Sequence, residues 1–358
     1  MTSAWALLPG SGCDVVEEQR ARWERKRCRA AGQLVETEQR YLEHLALVVT
    51  YFVAILRAKG TLKPAVQEAI FGSMESIHLA SQNLLLHLQG GHLVLGLESF
   101  CHQLELYVCY AENLEQARST LEKQLRKNKS FSHFKKLQES RPEFKGYRLE
   151  DLLLLPLQRL HQYKHFLQDL VENTHPERSD FKQLTGILKS VLEVFHKVQE
   201  ITRFHENFNH MHRVQKLLKG QKTRVLAPGR WYLQEGWLMV VPCKGGEVQR
   251  RMFFLFSDVL LVTKPCHPLH PWNSHKFACE AIYPLSQCTV GKVFGHTRSQ
   301  GGLLSLSFSH AKLLLMSHDQ EDFNTWTQNL EAAVRRLAIS STSVYSADSL
   351  SSPSRRAQ

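Results

Sequence analysis

The length and charge of the chain limit what it can be. Its 358 residues are enough for two domains, each with a hydrophobic core. The formal net charge of +11 predicts attraction to an acidic partner: nucleic acid, an anionic membrane face or an acidic protein surface. The sequence contains no GxxxxGK phosphate-binding loop, so we do not expect the chain to hydrolyse nucleotides itself.

The eight cysteines are scattered and form no CxxC pair. This spacing favours neither a zinc module nor a disulfide framework, and we expect no metal and no cofactor. No secretory signal is recognisable, so we expect a reducing, cytoplasmic environment, with the plasma membrane as a further location. The longest uncharged apolar run, residues 45–56, is too short to span a bilayer, so any membrane contact is expected to be peripheral.

The N-terminal region divides into a small-residue segment and a basic run. Residues 1–19 are predicted to be disordered. Residues 20–29, RARWERKRCR, carry six basic side chains against one glutamate. Such a run is typical of a nuclear address, of a lipid-facing arm or of the solvated first turns of a helix, and the pattern alone does not choose between them.

A helical pattern over residues 33–59 contains a carboxylate in its apolar stripe. The stripe consists of Leu34, Tyr41, Leu45, Val48, Phe52 and Ile55. Glu38 lies inside it, four residues after Leu34 and three before Tyr41. A carboxylate among apolar side chains is costly when unpaired, so two interpretations are open. Either a base of the same domain pairs with Glu38, or the stripe ends at an open surface that binds a partner.

The central leucine-rich segment, residues 149–172, predicts the main core helix of the first domain. Pro156 suits its first turn, where a missing N–H costs nothing. Its apolar face consists of Leu157, Leu160, Tyr163, Leu167, Leu170 and Val171. The side chains expected to project elsewhere are Arg159, His161, Gln162, Lys164, His165 and Gln168. Further helical patterns at 70–88, 97–125 and 181–208 predict an elongated all-α bundle of about six helices over residues 20–220.

Beyond residue 220 the periodicity changes from helical to strand-like. Short apolar runs separated by turn residues predict strands at 236–241, 252–256, 259–262, 277–283, 303–308 and 313–316. An amphipathic helix containing Phe323, Trp326 and Leu330 follows. This order predicts a small β-barrel capped by a C-terminal helix over residues 221–339, and a disordered Ser-rich tail over 340–358. The predicted fold class is therefore a multidomain α+β protein.

Three segments in order resemble the signatures of the Dbl-homology domain. LVETEQRYLEHL, residues 34–45, fits its L-x-x-T-E-x-x-Y-x-x-x-L pattern, and residues 100–113 resemble the second signature. LEDLLLLPLQRLHQYKHFL, residues 149–167, fits the third. The second half, with EGWL, RMFFLFSDVLLVTKP and Trp326, resembles a pleckstrin-homology domain. The resemblance spans about residues 20–337.

This resemblance implies a guanine nucleotide exchange factor, which releases GDP from a Rho-, Rac- or Cdc42-type GTPase without covalent chemistry. It implies binding to the GDP-bound or nucleotide-free GTPase, and the alternative is a non-catalytic scaffold. Glu38 stands where the family places a glutamate that engages the GTPase switch I loop. Gln162 stands where Lys or Arg is usual, with Lys164 two residues further, and Gln199 where Asn is usual.

The basic side chains of the second half raise the question of lipid binding. Lys244, Arg250 and Arg251 flank the first hairpin, where pleckstrin-homology domains place phosphate-binding side chains. They predict attraction to anionic lipid of about 1 kcal/mol per basic residue near the surface. Nucleic acid is not expected as a partner, because the sequence contains no nucleic-acid recognition motif.

Overall fold

A computed structural model describes residues 11–220, 223–242, 245–266, 276–293 and 301–348. Within these ranges, side chains are described for residues 17–339. The chain folds into two compact units, Met1–Phe204 and His205–Gln358. Lys244 and the tail beyond residue 348 lie outside the described residues. The two units are described separately below.

The described part of the first unit is entirely helical, as predicted. Its elements are α1 (Ser11–Val48), a π-helical turn (Val49–Ala54), α2 (Ile55–Lys59), α3 (Pro64–Phe71), α4 (Met74–Gln89), α5 (Leu93–Cys101), α6 (Glu105–Lys127), α7 (Lys129–Glu139), a 3₁₀ turn (Pro142–Phe144), α8 (Leu149–Leu152), α9 (Leu155–Glu172) and α10 (Phe181–Leu217). The helices outnumber the predicted six because several long patterns are interrupted. Residues 97–125, for example, divide between α5 and α6.

Helix α9 forms the centre of the first unit's core. Leu160, Tyr163, Leu167 and Leu170 are buried, as their spacing predicted, and Pro156 occupies the first turn. Arg159, which was expected to project away from the core, is buried as well. A buried guanidinium needs a partner of opposite charge, because desolvation of an unpaired ion is too costly.

Helix α1 is longer than predicted and begins at Ser11, within the segment expected to be disordered. By length and composition, residues Glu17–Lys59 are apolar enough to cross a membrane. Leu45, Val48, Phe52 and Leu56, however, are completely buried in the helical core. Packing inside the bundle therefore accounts for the hydropathy of this segment.

The second unit contains a seven-stranded antiparallel sheet and a C-terminal helix; the helix and six of the strands were predicted. Its elements are β1 (Tyr232–Val241), β2 (Gln249–Phe256), β3 (Val259–Pro265), β4 (Phe277–Pro284), β5 (Thr289–Lys292), β6 (Gly302–Ser307), β7 (Lys312–Ser317) and α11 (Gln320–Asp348). The strand order is β4-β3-β2-β1-β7-β6-β5. Over the described strands the sheet is open, with β4 and β5 at its edges, rather than a closed barrel.

The two faces of the sheet are covered by different helices. Phe253 and Leu255 of β2 point to one face and belong to a cluster with Trp326 and Leu330 of α11. Their neighbours along β2 alternate to the opposite face, as pleated strands require. Helix α11 continues to Asp348, past residue 340, where a disordered tail was predicted.

The last turns of α10 cover that opposite face. The buried cluster there consists of Met211, Val214, Leu218, Val225, Met252, Phe254, Phe256 and Leu261. The division between the units accordingly falls at residues 204–205, before the expected boundary at 220–221. An unbroken helical pattern does not reveal where its apolar side chains change from one core to another.

Candidate functional site

The carboxylate of Glu38 lies at the centre of a buried hydrogen-bond network between α1 and α9. Its side chain is 0% exposed. Arg159 donates to Glu38 Oε2 through Nη2 at 2.7 Å and through Nε at 3.0 Å. Two charge-assisted bonds from one guanidinium fix both the distance and the orientation of the two side chains.

Two hydroxyl groups complete the coordination of this carboxylate. Tyr163 Oη lies 2.9 Å from Glu38 Oε1 and 2.8 Å from Oε2, and it donates to the carboxylate. Ser81 on α4 donates its hydroxyl hydrogen to Glu38 Oε1. Both carboxylate oxygens are therefore satisfied by donors of the same unit, which offsets the cost of burying the charge.

The tyrosines around Glu38 stay protonated at neutral pH. Burial, followed by the charge of Glu38, raises the pKa of Tyr163 well above its usual value. Burial also raises the pKa of Tyr41 and of Tyr107. Since a phenolate would be desolvated and would face an existing negative charge, Tyr163 acts only as a hydrogen-bond donor to Glu38.

This geometry decides between the two interpretations of Glu38. The side chain is fully buried and paired with Arg159, so it does not project from an open helix end. Its contact with the GTPase stays a prediction. The alternative, an internal base of the same domain, is what the structure contains. In this structure the acid lies just beneath the surface and holds Arg159 there.

A shallow cavity of about 200 Å³ lies directly beside the buried pair. It is lined by Thr37, Arg40, Tyr41 and His44 of α1 and by Leu155, Gln158, Arg159 and Gln162 of α9. Arg159 reaches its rim through Nη1, which donates to Thr37 Oγ1 at 3.0 Å and to Gln162 Oε1 at 2.8 Å. We call this surface the α1–α9 cleft. One guanidinium thus connects its buried floor to its exposed rim.

The other predicted contact residues lie where α9 faces α10, away from the cleft. Lys164 is two residues beyond Gln162, about 200° around the helix, and its Nζ lies 4.5 Å from the ring centroid of Phe195 on α10. Gln199 is exposed, one helical turn beyond Phe195. The four predicted residues therefore comprise one buried acid, one residue at the rim of the cleft and two on the α9–α10 side.

The sequence prediction missed the residues that hold Glu38. Arg159 precedes Tyr163 by four residues, so the two share a helix face, and this spacing was the available signal. Ser81 belongs to a different helix and no pattern in the sequence connects it to Glu38. Such contacts between residues far apart in the chain arise only from tertiary packing.

A second group of charges joins the first half of α1 to the turn before α10. Arg27 forms an ion pair with Asp180, and Arg178 pairs with Asp180 at 3.2 Å and with Glu24 at 3.1 Å. Burial opposes ionisation of Asp180, but the Arg178 hydrogen bond and the charge of Arg27 outweigh it and lower its pKa. The basic run is thus partly anchored by acids of its own unit.

Arg20 pairs with Glu177 at 3.9 Å, and the other four cations of the run form an exposed row. Arg22, Arg25, Lys26 and Arg29 recur at steps of three and four residues, so they share one helix face. All four are exposed, and none forms an ion pair with another described residue. Of the three interpretations of this run, the helical one is confirmed for residues 20–29.

The predicted lipid-binding residues do not form one cluster in the described part of the second unit. Arg250 lies 4.7 Å over the ring of Trp237. Arg251 is paired with Glu280, and neighbouring residues of one strand point to opposite faces. Lys244 is outside the described residues.

Comparisons with known proteins identify the class of the helical unit first. The RhoGEF domain family matches residues 30–199, a range that contains both halves of the α1–α9 cleft. Among solved structures, the linker-DH/PH domains of p115-RhoGEF match with a TM-score of 0.66 at 16% identity, over 88% of this chain and 98% of that chain. The DH/PH domains of PDZ-RhoGEF, solved in a complex with GTP-gamma-S-activated RhoA, match with a TM-score of 0.64 at 19% identity, over 90% and 98%. Both likenesses show the fold.

The more similar sequences show the family. The chain is 53% identical over 327 residues to Rho guanine nucleotide exchange factor 39 of Bos taurus and to that of Homo sapiens, covering 91% of this chain and 97% of each relative. The chain therefore belongs to the family of Rho guanine nucleotide exchange factors. The resemblance to Dbl-homology and pleckstrin-homology domains stated from the sequence is confirmed.

Proposed function

We propose that this chain accelerates GDP release from a Rho-, Rac- or Cdc42-type GTPase, without covalent chemistry, through a surface that includes the α1–α9 cleft. The observation that carries the proposal is that one side chain, Arg159, bonds both the buried floor and the exposed rim of this cleft. The Glu38–Arg159 pair is buried beneath the cleft, and Arg159 also holds Gln162 at the surface. Family membership supports the reaction, since the related proteins are named as exchange factors.

The reaction requires preferential binding of the nucleotide-free GTPase over its GDP-bound form. Because linkage is reciprocal, an exchange factor that binds the empty form better also weakens the hold on GDP. Displacing GDP by about 10⁴-fold needs about 5.5 kcal/mol of differential binding. A single rim contact contributes about 1 kcal/mol, so a wide surface is needed, and the proposal assigns Gln162, Lys164 and Gln199 to it.

The test is fluorescent GDP release from each of the three GTPase types. We expect Gln162→Ala and Gln199→Ala each to slow release by about 2- to 10-fold, which corresponds to the loss of one hydrogen bond of about 0.5–1.5 kcal/mol. Gln116→Ala, at an exposed position on α6, is the matched control and should leave the rate unchanged. Release rates that are the same with and without the wild-type chain for all three GTPases would refute the proposal.

The alternative is a scaffold that holds a GTPase without exchanging its nucleotide. Two departures from the family pattern favour it. Gln162 lacks the usual cation, and Gln199 carries its amide on a longer side chain than the usual Asn. Pull-down with nucleotide-free and GDP-loaded GTPase separates the two. An exchange factor retains more of the nucleotide-free form, whereas equal retention indicates a scaffold.

We further propose that the chain associates peripherally with anionic membrane from the cytoplasmic side. The support is the net charge of +11 and the exposed row Arg22, Arg25, Lys26 and Arg29, worth about 1 kcal/mol per residue near an anionic surface. Co-sedimentation with phosphatidylserine vesicles should fall when all four are changed to Glu. Sedimentation equal to that of the wild-type chain would exclude a role for the row. Vesicles with added phosphoinositide test lipid binding by Arg250 separately.

A further inference from the structure

Two histidines on the exposed side of α9 have their ring nitrogens unusually close together. His161 and His165 are the one pair of histidines four residues apart in the sequence, so they lie one above the other on the helix. Their Nε2 atoms are 3.1 Å apart. Both side chains are exposed.

We propose that His161 and His165 form a two-histidine binding site for a divalent transition metal ion such as Cu²⁺ or Zn²⁺. Imidazole nitrogens bind such ions at about 2.0–2.1 Å. Two bonds of that length, at square or tetrahedral angles, separate the nitrogens by about 2.9–3.4 Å. The observed Nε2–Nε2 distance lies in this interval, so the side chains need little rearrangement to bind the ion.

The protonation state of the pair suits a metal ion. In the free protein one Nε2–H donates to the other Nε2, which requires at least one neutral ring. On binding, both Nε2 lone pairs bond to the ion, and the hydrogen on Nε2 is replaced by one on Nδ1 of the same ring. When both rings are neutral, the ion therefore binds with no net proton release.

The neighbours of the pair determine how tightly it binds. Phe195 packs at 5.2 Å from the His161 ring and restricts its rotation. The cation of Lys164 repels a bound metal and sets a limit on affinity. Within the described ranges, no three His, Cys, Asp or Glu side chains form a metal-binding group, so water would fill the remaining coordination positions. Mg²⁺ prefers oxygen ligands and would not compete.

The site adjoins the surface proposed for the GTPase. Lys164 packs on the same Phe195 ring as His161, so a metal ion there adds charge to the α9–α10 side. If this side contacts the GTPase, as the proposed function holds, bound metal should slow GDP release. Binding itself does not depend on that function.

The test is calorimetric titration of the full chain with CuCl₂ and ZnCl₂, without a GTPase. We expect saturable binding, tighter for Cu²⁺ than for Zn²⁺, as nitrogen ligands generally give. His161→Gln and His165→Gln should each weaken binding at least tenfold, whereas His196→Gln, an exposed neighbour on α10, should not. The Cu²⁺ electron paramagnetic resonance spectrum should show two imidazole nitrogens and lose this signature in either variant.

Two results would overturn the proposal: no saturable binding to the wild-type chain, or unchanged affinity in His161→Gln with folding verified by circular dichroism. A GDP-release assay with and without Zn²⁺ then tests the coupling. A rate that falls in the wild-type chain but not in His165→Gln supports it. A metal-loaded wild-type chain with an unchanged rate overturns the coupling alone and leaves the site in place.

Discussion

Glu38 is stable inside an apolar bundle because every lone pair that needs a donor has one. Arg159 supplies two hydrogen bonds, and Tyr163 and Ser81 supply the others. Such a pair gains little over a well-packed apolar core, because both ions lose their hydration. Removing only one partner is different, because the other charge is then buried without a counterion.

We therefore expect Glu38→Ala and Arg159→Ala each to destabilise the chain by about 3–5 kcal/mol. The double variant should lose less than the sum, since it leaves no unpaired ion. Urea unfolding measures all three. Glu36→Ala, whose carboxylate is 71% exposed and pairs with Arg40 on the surface, should change stability by at most about 0.5 kcal/mol. Additive losses in the double variant would contradict this account.

Asp180 gives a prediction about pH. Its pKa is lowered in the folded chain, because the Arg178 hydrogen bond and the charge of Arg27 outweigh its burial. A lowered folded pKa contributes stability that is present above the unfolded pKa, about 3.9, and is lost as pH falls through the folded pKa. Asp180→Asn should therefore lower Tm at pH 7, and its difference from wild type should shrink below about pH 4. Glu177→Gln, at a carboxylate that is 80% exposed, should show a small difference at both pH values.

At the scale of elements, regular periodicity predicted the fold well where one face of an element is buried. The stripe of α9 and six of the seven strands follow directly from such patterns. Strand β5, with sequence TVGK, was missed because four residues with a glycine and a lysine carry no alternation. The partner of Glu38 was missed because Arg159 is 121 positions away and meets it only through helix packing. The spacing of Arg159 and Tyr163 places both on one face of α9 but does not point to Glu38.

The start of β6 depends on a glycine for two separate reasons. Gly301 has a φ of +115°, and a Cβ there would lie 2.1 Å from the Ser317 carbonyl oxygen. We expect Gly301→Ala to lower the free energy of unfolding by clearly more than Gly229→Ala, because Gly229 also has a positive φ but open space around it. The control, Gly229→Ala, should lower the free energy of unfolding by about 1 kcal/mol. Equal losses in chemical denaturation would show that backbone strain alone matters.

At the scale of the whole molecule, the division within α10 makes a prediction about fragments. Met211, Val214 and Leu218 cover Phe254 and Phe256. A fragment of residues 205–358 should unfold cooperatively on heating, whereas 221–358 should aggregate or melt at a lower temperature, because it exposes an apolar sheet face. The same Tm for both fragments would place the boundary at 220, as the sequence predicted.

The burial of Glu38 also affects how genetic variants should be interpreted. An allele that removes this acid increases the unfolded fraction, which cellular proteases degrade, so the amount of protein falls. Loss of signalling alone does not distinguish a cell with too little protein from a cell with an inactive protein. Protein abundance must therefore be measured as well. Gln162 is exposed above the same ion pair, and our proposal assigns it to the GTPase surface. On that proposal it is the better position for a knock-in that reduces activity while the protein level stays normal.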